Sequence, residues 1–223
     1  MRFISSTILI LLLFPLSVFA QKADTLINKD LTPTGIRLGT DLLSMVRSPL
    51  DDSFSGWEAS VDVDFYRYFL VVEAGQWKRN FESEDEVYDN DGFYWRAGID
   101  INFLKNDPEK NMLFLGARYA SGVFSENMQV LTDGTWNQGT FSYSNVDTKA
   151  TWAEATLGLR VKMWKYFWMG YTARYKFALN TKEQSNMSPH DVPGFGLTNK
   201  TSTWGFNYQI YFRIPFKKDG VNP

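Results

Sequence analysis

The sequence predicts an all-β fold, an eight-stranded antiparallel up-and-down transmembrane β-barrel, and three observations support this class. Apolar and polar residues alternate along about eight segments of roughly 10–13 residues, the length that a tilted strand needs to cross a bilayer. The links between these segments are alternately short and long. Aromatic residues make up 17% of the chain and gather near the segment ends, as in the girdles of membrane barrels.

Residues 1–20 are predicted to be a signal peptide. One basic residue precedes an apolar run from Ile8 to Phe14, and small residues before the junction favour cleavage between Ala20 and Gln21. A retained N-terminal anchor helix is the alternative, although the run is short for one. The predicted organisation of the rest is a short periplasmic N-terminal segment at 21–33, the transmembrane barrel at 34–216 and a periplasmic C-terminal tail at 217–223.

Each of the eight segments has one apolar and one polar face, with a period of two. In chain order, the apolar faces are Ile36, Leu38 and Leu42; Trp57, Ala59, Val61, Val63 and Phe65; Leu70, Val72 and Ala74; Phe93, Trp95, Ala97, Ile99, Ile101 and Phe103; Leu113, Leu115, Ala117 and Tyr119; Ala153, Ala155, Leu157, Leu159, Val161 and Met163; Met169, Tyr171, Ala173, Tyr175 and Phe177; and Trp204, Phe206, Tyr208, Ile210, Phe212, Ile214 and Phe216. No stretch after Gln21 shows a convincing helical period. A soluble sandwich also alternates, so the links carry more weight.

The links fall into two classes. Short turns lie at Arg67-Tyr68, at Lys105 to Lys110 and at Trp164 to Tyr166, whereas the long links are about 44–56, 78–92, 123–150 and 180–202. Outer-membrane barrels have short periplasmic turns and long exterior loops, so both termini are expected on the periplasmic side. The girdle aromatics are predicted to be Tyr66, Tyr68, Phe69, Phe103, Trp164, Tyr166, Phe167 and Phe216 at the short turns and Trp57, Trp77, Phe93, Trp95, Trp152 and Trp204 at the long links.

The polar faces carry charges that must point into the barrel, because an Arg or Lys facing the bilayer midplane costs about 2–4 kcal/mol. The predicted inward charges are Arg37, Asp41, Glu58, Asp62, Asp64, Glu73, Arg96, Asp100, Arg118, Glu154, Arg160, Lys162, Arg174, Lys176 and Arg213. The same face carries Gly39, Gly75, Gly98, Gly116, Gly158, Gly170 and Gly205. Because an eight-stranded barrel is just wide enough for side chains to fill, a structural ion-pair network is expected inside. A pore lining of the same residue types is the alternative.

Composition argues against several kinds of function. The chain has no cysteine, which removes disulfides, thiol chemistry and thiolate metal sites. A net charge of −2 argues against a nucleic-acid partner. No cofactor, metal site or catalytic residue is expected.

The signal peptide, the eight amphipathic strands, the loop asymmetry and the aromatic last strand from Tyr208 to Phe216 resemble the small OmpA/OmpX-type barrels. More specifically, the chain resembles an uncharacterised family of short single-barrel outer-membrane proteins, which is labelled only as a domain of unknown function. The resemblance covers essentially the whole mature chain. It implies an outer-membrane location, contact with lipid and lipopolysaccharide, and the barrel-assembly machinery as a partner during biogenesis. That machinery is thought to read a terminal aromatic residue in such families; here Phe216 is followed by residues 217–223.

Three exterior segments contain the remaining candidate chemistry. Ser188, His190 and Asp191 lie close enough in sequence for a hydrolytic cluster, but a solvated loop histidine is the favoured interpretation. Residues 82–91 are acidic and partly resemble a calcium loop, and a solvated loop is again favoured. The β-prone segment Thr140 to Ser144 is expected to extend strands above the membrane, as an edge for an extracellular protein or glycan.

The leading functional hypothesis is an integral outer-membrane barrel with a packed polar interior, a structural or loop-mediated interaction role and no catalysis. The alternatives are a narrow channel for ions or small solutes, a lipid-modifying barrel enzyme and a soluble lipocalin-like binder. A lipocalin has apolar residues inside and polar residues outside, the inverse of the arrangement expected here.

Overall fold

The computed structural model describes residues 31–104, 107, 110–134, 137–180 and 188–216. The predicted signal peptide and the predicted C-terminal tail lie outside the described residues, as does most of the segment predicted at 21–33. Within the described part of the chain, no helix has the length and apolar character needed to span a bilayer.

Eight long antiparallel strands close into a barrel. They are β1 (Gly35–Asp41), β2 (Phe54–Phe65), β3 (Tyr68–Glu82), β4 (Glu86–Asn102), β5 (Met112–Gly134), β6 (Asn137–Trp164), β7 (Phe167–Asn180) and β10 (Ser202–Pro215). Pairing of β1 with β10 closes the ring. The remaining elements are a helix, α1 (Leu42–Leu50), and a small hairpin of β8 (Asp191–Val192) and β9 (Gly196–Leu197). The barrel predicted from the alternation is confirmed.

The two faces of the wall have opposite surroundings. Large apolar side chains stay exposed on the outside, where Val72 is 54% and Leu157 is 53% exposed. Charged side chains are buried on the inside, where Glu73 is 2% and Arg160 is 1% exposed. A water-soluble domain would expose its charges instead. The arrangement is the inverse of a lipocalin and is typical of a barrel surrounded by lipid.

The two ends of the barrel differ. At the short-turn end, tight turns at Tyr66-Arg67 and Lys165-Tyr166 connect the strands. At the long-hairpin end, β3 continues to Glu82 before β4 begins at Glu86, so most of the link predicted at 78–92 is strand. Likewise β5 and β6 stay paired as far as Gly134 and Asn137, and the segment Thr140 to Ser144 lies within β6, as predicted.

Helix α1 lies in the link 44–56, where no helix was predicted, and Leu42 belongs to it rather than to the apolar face of β1. Asp41 ends β1 in an extended conformation, and its carboxylate accepts a hydrogen bond from the Ser44 N–H at 3.1 Å. A side-chain acceptor on an extended residue is the usual start of a helix. The helix has nine residues and contains Pro49, so too few turns exist for its period to be recognised.

Most of the predicted girdle aromatics lie on the outer surface, as Trp57 and Trp204 do. Phe69, Trp77 and Trp152 do not, and for them the girdle prediction was wrong: Phe69 and Trp152 are buried, and Trp77 is partly buried against the core at the long-hairpin end. Each lies an even number of residues from an inward glutamate on its own strand. Strand alternation therefore places these three rings inside.

Candidate functional site: the barrel interior and its mouth

Five buried charged side chains form an upper network near the long-hairpin end: Arg96 and Arg174 with Glu58, Glu73 and Glu154. Arg96 Nη1 lies 3.0 Å from Glu58 Oε2 and 3.2 Å from Glu73 Oε2. Arg174 Nη2 lies 2.7 Å from Glu73 Oε1, and its Nη1 lies 3.0 Å from Glu154 Oε2. Each member comes from a different strand, so the network joins β2, β3, β4, β6 and β7 across the interior.

A middle network lies nearer the short-turn end. It is an alternating chain of Arg37, Asp62, Arg160, Asp100 and Arg118. The successive nitrogen–oxygen distances are 2.8, 3.1, 3.2 and 2.7 Å. Arg160 is the central member, because its guanidinium reaches one carboxylate on β2 and another on β4. This chain of alternating charges crosses the barrel interior.

Aromatic rings fill the space around the middle network. The guanidinium carbon of Arg160 lies 4.6 Å from the centre of the Phe114 ring and 4.7 Å from that of Tyr211. Arg37 lies 4.6 Å from the centre of the Phe69 ring. Such cation–π contacts are attractive, particularly where water is excluded. These inward rings were not predicted as partners of the charges, although strand alternation places them on the same face.

The inward glycines provide the room for these groups. A Cβ on Gly116 would collide with the Asp100 carboxylate and would stand 2.6 Å from Thr156 Oγ1. A Cβ on Gly39 would collide with the Tyr211 ring. Glycine at these strand positions therefore allows the charged and aromatic groups to approach the wall closely.

The link predicted as an exterior loop at 180–202 enters the mouth of the barrel in its described part. Residues 188–201, the plug segment, include the β8–β9 hairpin. Val192 and Phe195 are fully buried and pack with Tyr94 and Trp152. Gly194 turns the chain between them with a φ of 80°, a conformation that glycine adopts without strain.

Polar contacts fasten the plug segment to the wall. Arg79 Nη1 lies 2.7 Å from Asp191 Oδ2, and Asn90 Nδ2 donates to the Asp191 carbonyl oxygen at 2.7 Å. Lys176 Nζ donates to the Gly194 carbonyl oxygen at 2.7 Å. A signal for this closure exists in the sequence, since Val192 and Phe195 flank a Pro-Gly turn within a polar link.

The other predicted inward charges are held differently. Arg213 and Asp64 form a separate pair at 3.1 Å near the short-turn end. Asp41 caps α1, Lys176 binds carbonyl oxygens of the plug segment, and Lys162 is half-buried. The structure therefore brings most of the predicted set into ion pairs, with Asp41 and Lys176 in other roles.

His190 is exposed and contacts Tyr88 and Glu126. Its ring lies against Tyr88 with 5.2 Å between centroids, and its backbone N–H donates to Glu126 Oε2 at 3.2 Å. The Tyr88 hydroxyl donates to Glu126 Oε2 at 3.0 Å, and burial raises the pKa of Tyr88 far above its ordinary value of 10.0. The Asp191 carboxylate pairs with Arg79 at 2.7 Å. This ion pair gives Asp191 a structural role at the mouth of the barrel.

The acidic segment 82–91 is mainly a strand hairpin. Asp91 Oδ2 lies 2.7 Å from Lys78 Nζ and its Oδ1 accepts from Gln76 at 3.1 Å. Burial alone would raise the pKa of Asp91, but these hydrogen bonds lower it. Among the described residues, no three His, Asp or Glu side chains are grouped to hold a metal ion.

A cavity of about 480 Å³ lies beside the plug segment at the mouth. Phe54, Trp77 and Phe195 form apolar parts of its lining, and its charged residues are Asp41, Arg47, Glu58, Arg96 and Lys176. The interior thus contains paired charges and, at the long-hairpin end, a recess of small-molecule size.

Two solved structures are similar to this chain. Neisserial surface protein A (NspA) is 11% identical with a TM-score of 0.40, over 82% of this chain and 96% of that chain. CarO of Acinetobacter baumannii is 13% identical with a TM-score of 0.41, over 84% of this chain and 99% of that chain. No curated protein matches the sequence. The model of a domain of unknown function, DUF6048, matches residues 1–219, and the chain therefore belongs to the DUF6048 family.

Proposed function

We propose that this protein is an integral outer-membrane barrel with a sealed interior, and that its role is structural or loop-mediated rather than catalytic or conductive. The middle network is the observation that carries the proposal. Arg160 extends from β6 and contacts Asp62 on β2 and Asp100 on β4. One side chain therefore bridges strands on different sides of the interior.

A solute would have to separate these groups in order to pass. Breaking a buried ion pair by removing one partner costs about 3–5 kcal/mol, because a charge remains buried without compensation. The upper network and the plug segment add further closures along the same axis. Together they favour a barrel that conducts no ions at rest.

Conductance in planar bilayers tests the seal. We expect no stable current steps from the refolded full-length protein. A variant that combines Arg160→Ala, Arg174→Ala and Phe195→Ala disrupts the middle network, the upper network and the plug segment together and should conduct, provided that it keeps heat-modifiable migration in gels, whereas Arg47→Ala at the surface should not. Stable steps from the unmodified protein would favour the narrow-channel alternative and overturn the sealed barrel.

The β5–β6 hairpin supports the loop-mediated part of the proposal. β7 begins to pair with β6 at Thr151, so the β6 segment from Asn137 to Ala150 has no described strand on that side. Tyr143 and Val146 are exposed on it. An unpaired strand edge with apolar side chains can accept an extended segment of a partner protein.

A strain lacking the protein, screened for envelope defects, tests this role. We expect a variant whose hairpin is replaced by a short turn to reach the outer membrane and yet fail to restore the phenotype. Full restoration would contradict a role for the hairpin. If instead lipid A changes in the deletion strain and His190→Ala reproduces the change, the lipid-modifying alternative gains support.

A further inference from the structure

The barrel wall has a gap at the long-hairpin end. β1 ends at Asp41, although both of its neighbours in the ring continue. β10 pairs with β1 only as far as Gln209, and β2 pairs with it only as far as Ala59. A notch therefore separates residues 54–58 of β2 from residues 202–208 of β10. Helix α1 lies in this notch and contacts both strands.

The backbone groups on the β2 edge of the notch have more hydrogen-bond partners from α1 than those on the β10 edge. On the β2 edge, Ser48 Oγ accepts a hydrogen bond from the Gly56 N–H at 2.8 Å and donates one to the Gly56 carbonyl oxygen at 3.2 Å. The serine hydroxyl thus replaces both backbone contacts that a neighbouring strand would make. On the β10 edge, Asp41 Oδ1 accepts from the Tyr208 N–H at 3.0 Å. From Tyr208 back to Ser202, no described strand pairs with the side of β10 that faces the notch. Backbone groups without a strand partner are tolerated at membrane depth where they line a polar cavity.

The outer side of the notch has the character of a membrane interface. Leu43, Val46 and Leu50 of α1 are 48%, 56% and 79% exposed. Trp57 and Trp204 flank the notch on β2 and β10, and both rings point outward. Exposed apolar residues on a short helix between two tryptophans are typical of the boundary between head groups and acyl chains.

Behind the helix lies the cavity of about 480 Å³, a size common among small-molecule sites. Leu43 and Trp204 line it on the lipid side, and Phe54 and Trp77 line it further in. Its lining thus runs from the membrane-facing notch into the barrel mouth. A molecule from the bilayer could enter without passing the upper network.

The charges at the inner end of the cavity are not equivalent. Glu58 is engaged by the Tyr94 hydroxyl at 2.7 Å and by Arg96 at 3.0 Å. Lys176 donates to two carbonyl oxygens of the plug segment, and Glu154, the described carboxylate with the largest electrostatic effect on its ammonium, makes no ion pair with it. A Cβ on Gly205 would stand 2.9 Å from Lys176 Nζ, and both residues line the cavity. The cavity therefore offers an ammonium group that carbonyl oxygens hold in place and that has no carboxylate in direct contact.

We propose that the notch admits a single-chain anionic amphiphile from the membrane. Its acidic head group binds at Lys176, and its chain leaves through the notch past Leu43 and Trp204. A long-chain carboxylate is the simplest molecule with this chemistry. The site ends at the upper network and does not cross it, so the inference goes beyond the sealed barrel and leaves it intact.

Palmitate binding to the full-length protein in zwitterionic-lipid nanodiscs tests the site. We expect saturable binding that unlabelled palmitate displaces and hexadecyltrimethylammonium does not. Leu43→Trp fills the notch from an exposed helix position and should weaken binding about tenfold or more, a loss of about 1.4 kcal/mol. Leu50→Trp, on the same helix but outside the cavity, is the matched control and should bind normally.

The head-group assignment has its own pair of variants. Lys176→Gln should weaken palmitate binding about tenfold, since a charge-assisted contact is lost, and Lys176→Arg should retain most of it. Heat-modifiable migration confirms folding of each variant. Equal binding by Leu43→Trp and Leu50→Trp would overturn the notch, and equal displacement by the cationic amphiphile would overturn the anionic head. Neither result depends on the conductance measurement, which tests the sealed barrel separately.

Discussion

Arg160 has two carboxylates and two aromatic rings around a single guanidinium. The planar fork of arginine can donate to Asp62 and Asp100 at once while its faces lie against rings, which the compact ammonium of lysine cannot do. The neighbouring glycines act at the same scale, because Gly116 leaves space for the Asp100 carboxylate. Stability in this interior therefore depends on individual side chains whose partners lie on distant strands.

Replacing Arg160 tests this dependence. Arg160→Met should lower the free energy of unfolding by about 3 kcal/mol, because two carboxylates remain buried with one arginine each. Urea unfolding in lipid vesicles, followed by tryptophan fluorescence, measures the change. Arg47→Met removes an exposed pair with Asp51 and should change the midpoint little. Equal midpoints for the two variants would contradict a stabilising middle network.

The stability that Asp51 adds at the C-terminal end of α1 should decrease at low pH. Hydrogen bonds from Ser53 and then from Arg47 lower the pKa of Asp51 below its ordinary value of 3.8. A carboxyl whose pKa is lowered on folding adds stability above 3.8, and that stability is lost as the pH falls through the lowered pKa. NMR titration should find Asp51 below 3.8 and higher in Ser53→Ala. Titration of the unmodified protein at or above 3.8 would contradict this contact.

At the scale of elements, the four long links form three kinds of structure. Two are hairpins that continue the wall, one contains α1, and the described part of the last is the plug segment. The plug segment is attached by the buried side chains of Val192 and Phe195 and by ion pairing through Asp191. Closure of the mouth is therefore a property of one element with an apolar tip.

Phe195 provides the test of that element. Phe195→Ala should cost about 3–5 kcal/mol of local packing, so the plug segment should open more often and exchange its amide hydrogens faster. Leu197→Ala, at an exposed position of the same hairpin, is the control and should leave exchange nearly unchanged. Hydrogen exchange by mass spectrometry over residues 188–201 distinguishes the two. Unchanged exchange in Phe195→Ala would show that its ring does not hold the segment.

For the whole molecule, the two unlike ends predict an orientation in the membrane, with the long hairpins outside the cell. The chain has no cysteine, so single-cysteine variants report each end directly. Leu131→Cys in the long hairpin should react with a membrane-impermeant maleimide on intact cells. Lys165→Cys in a short turn should react only after the outer membrane is opened. The reverse pattern would invert the proposed orientation.

Much of the fold could be predicted because alternation in a strand is local. The period of two is uninterrupted in Trp204 to Phe216 and in Phe93 to Phe103, and all but the last residue of each segment lie in strands of the barrel. The helix α1 escaped prediction because it spans few turns, and the inward ring of Trp152 escaped because its position near a strand end suggested the girdle. The local pattern was too short to reveal the helix and too ambiguous to assign Trp152 to the interior.

By itself, the sequence determined which side of the wall most residues occupy, because a period of two assigns each side chain to lipid or to the interior. Only the tertiary structure decided how the interior charges pair, where β1 stops and where the last link goes. Those features rest on contacts between residues far apart in the chain, such as Arg79 with Asp191 and Asp41 with Tyr208. No local period records such contacts, since they depend on the closure of the ring that brings the strands together.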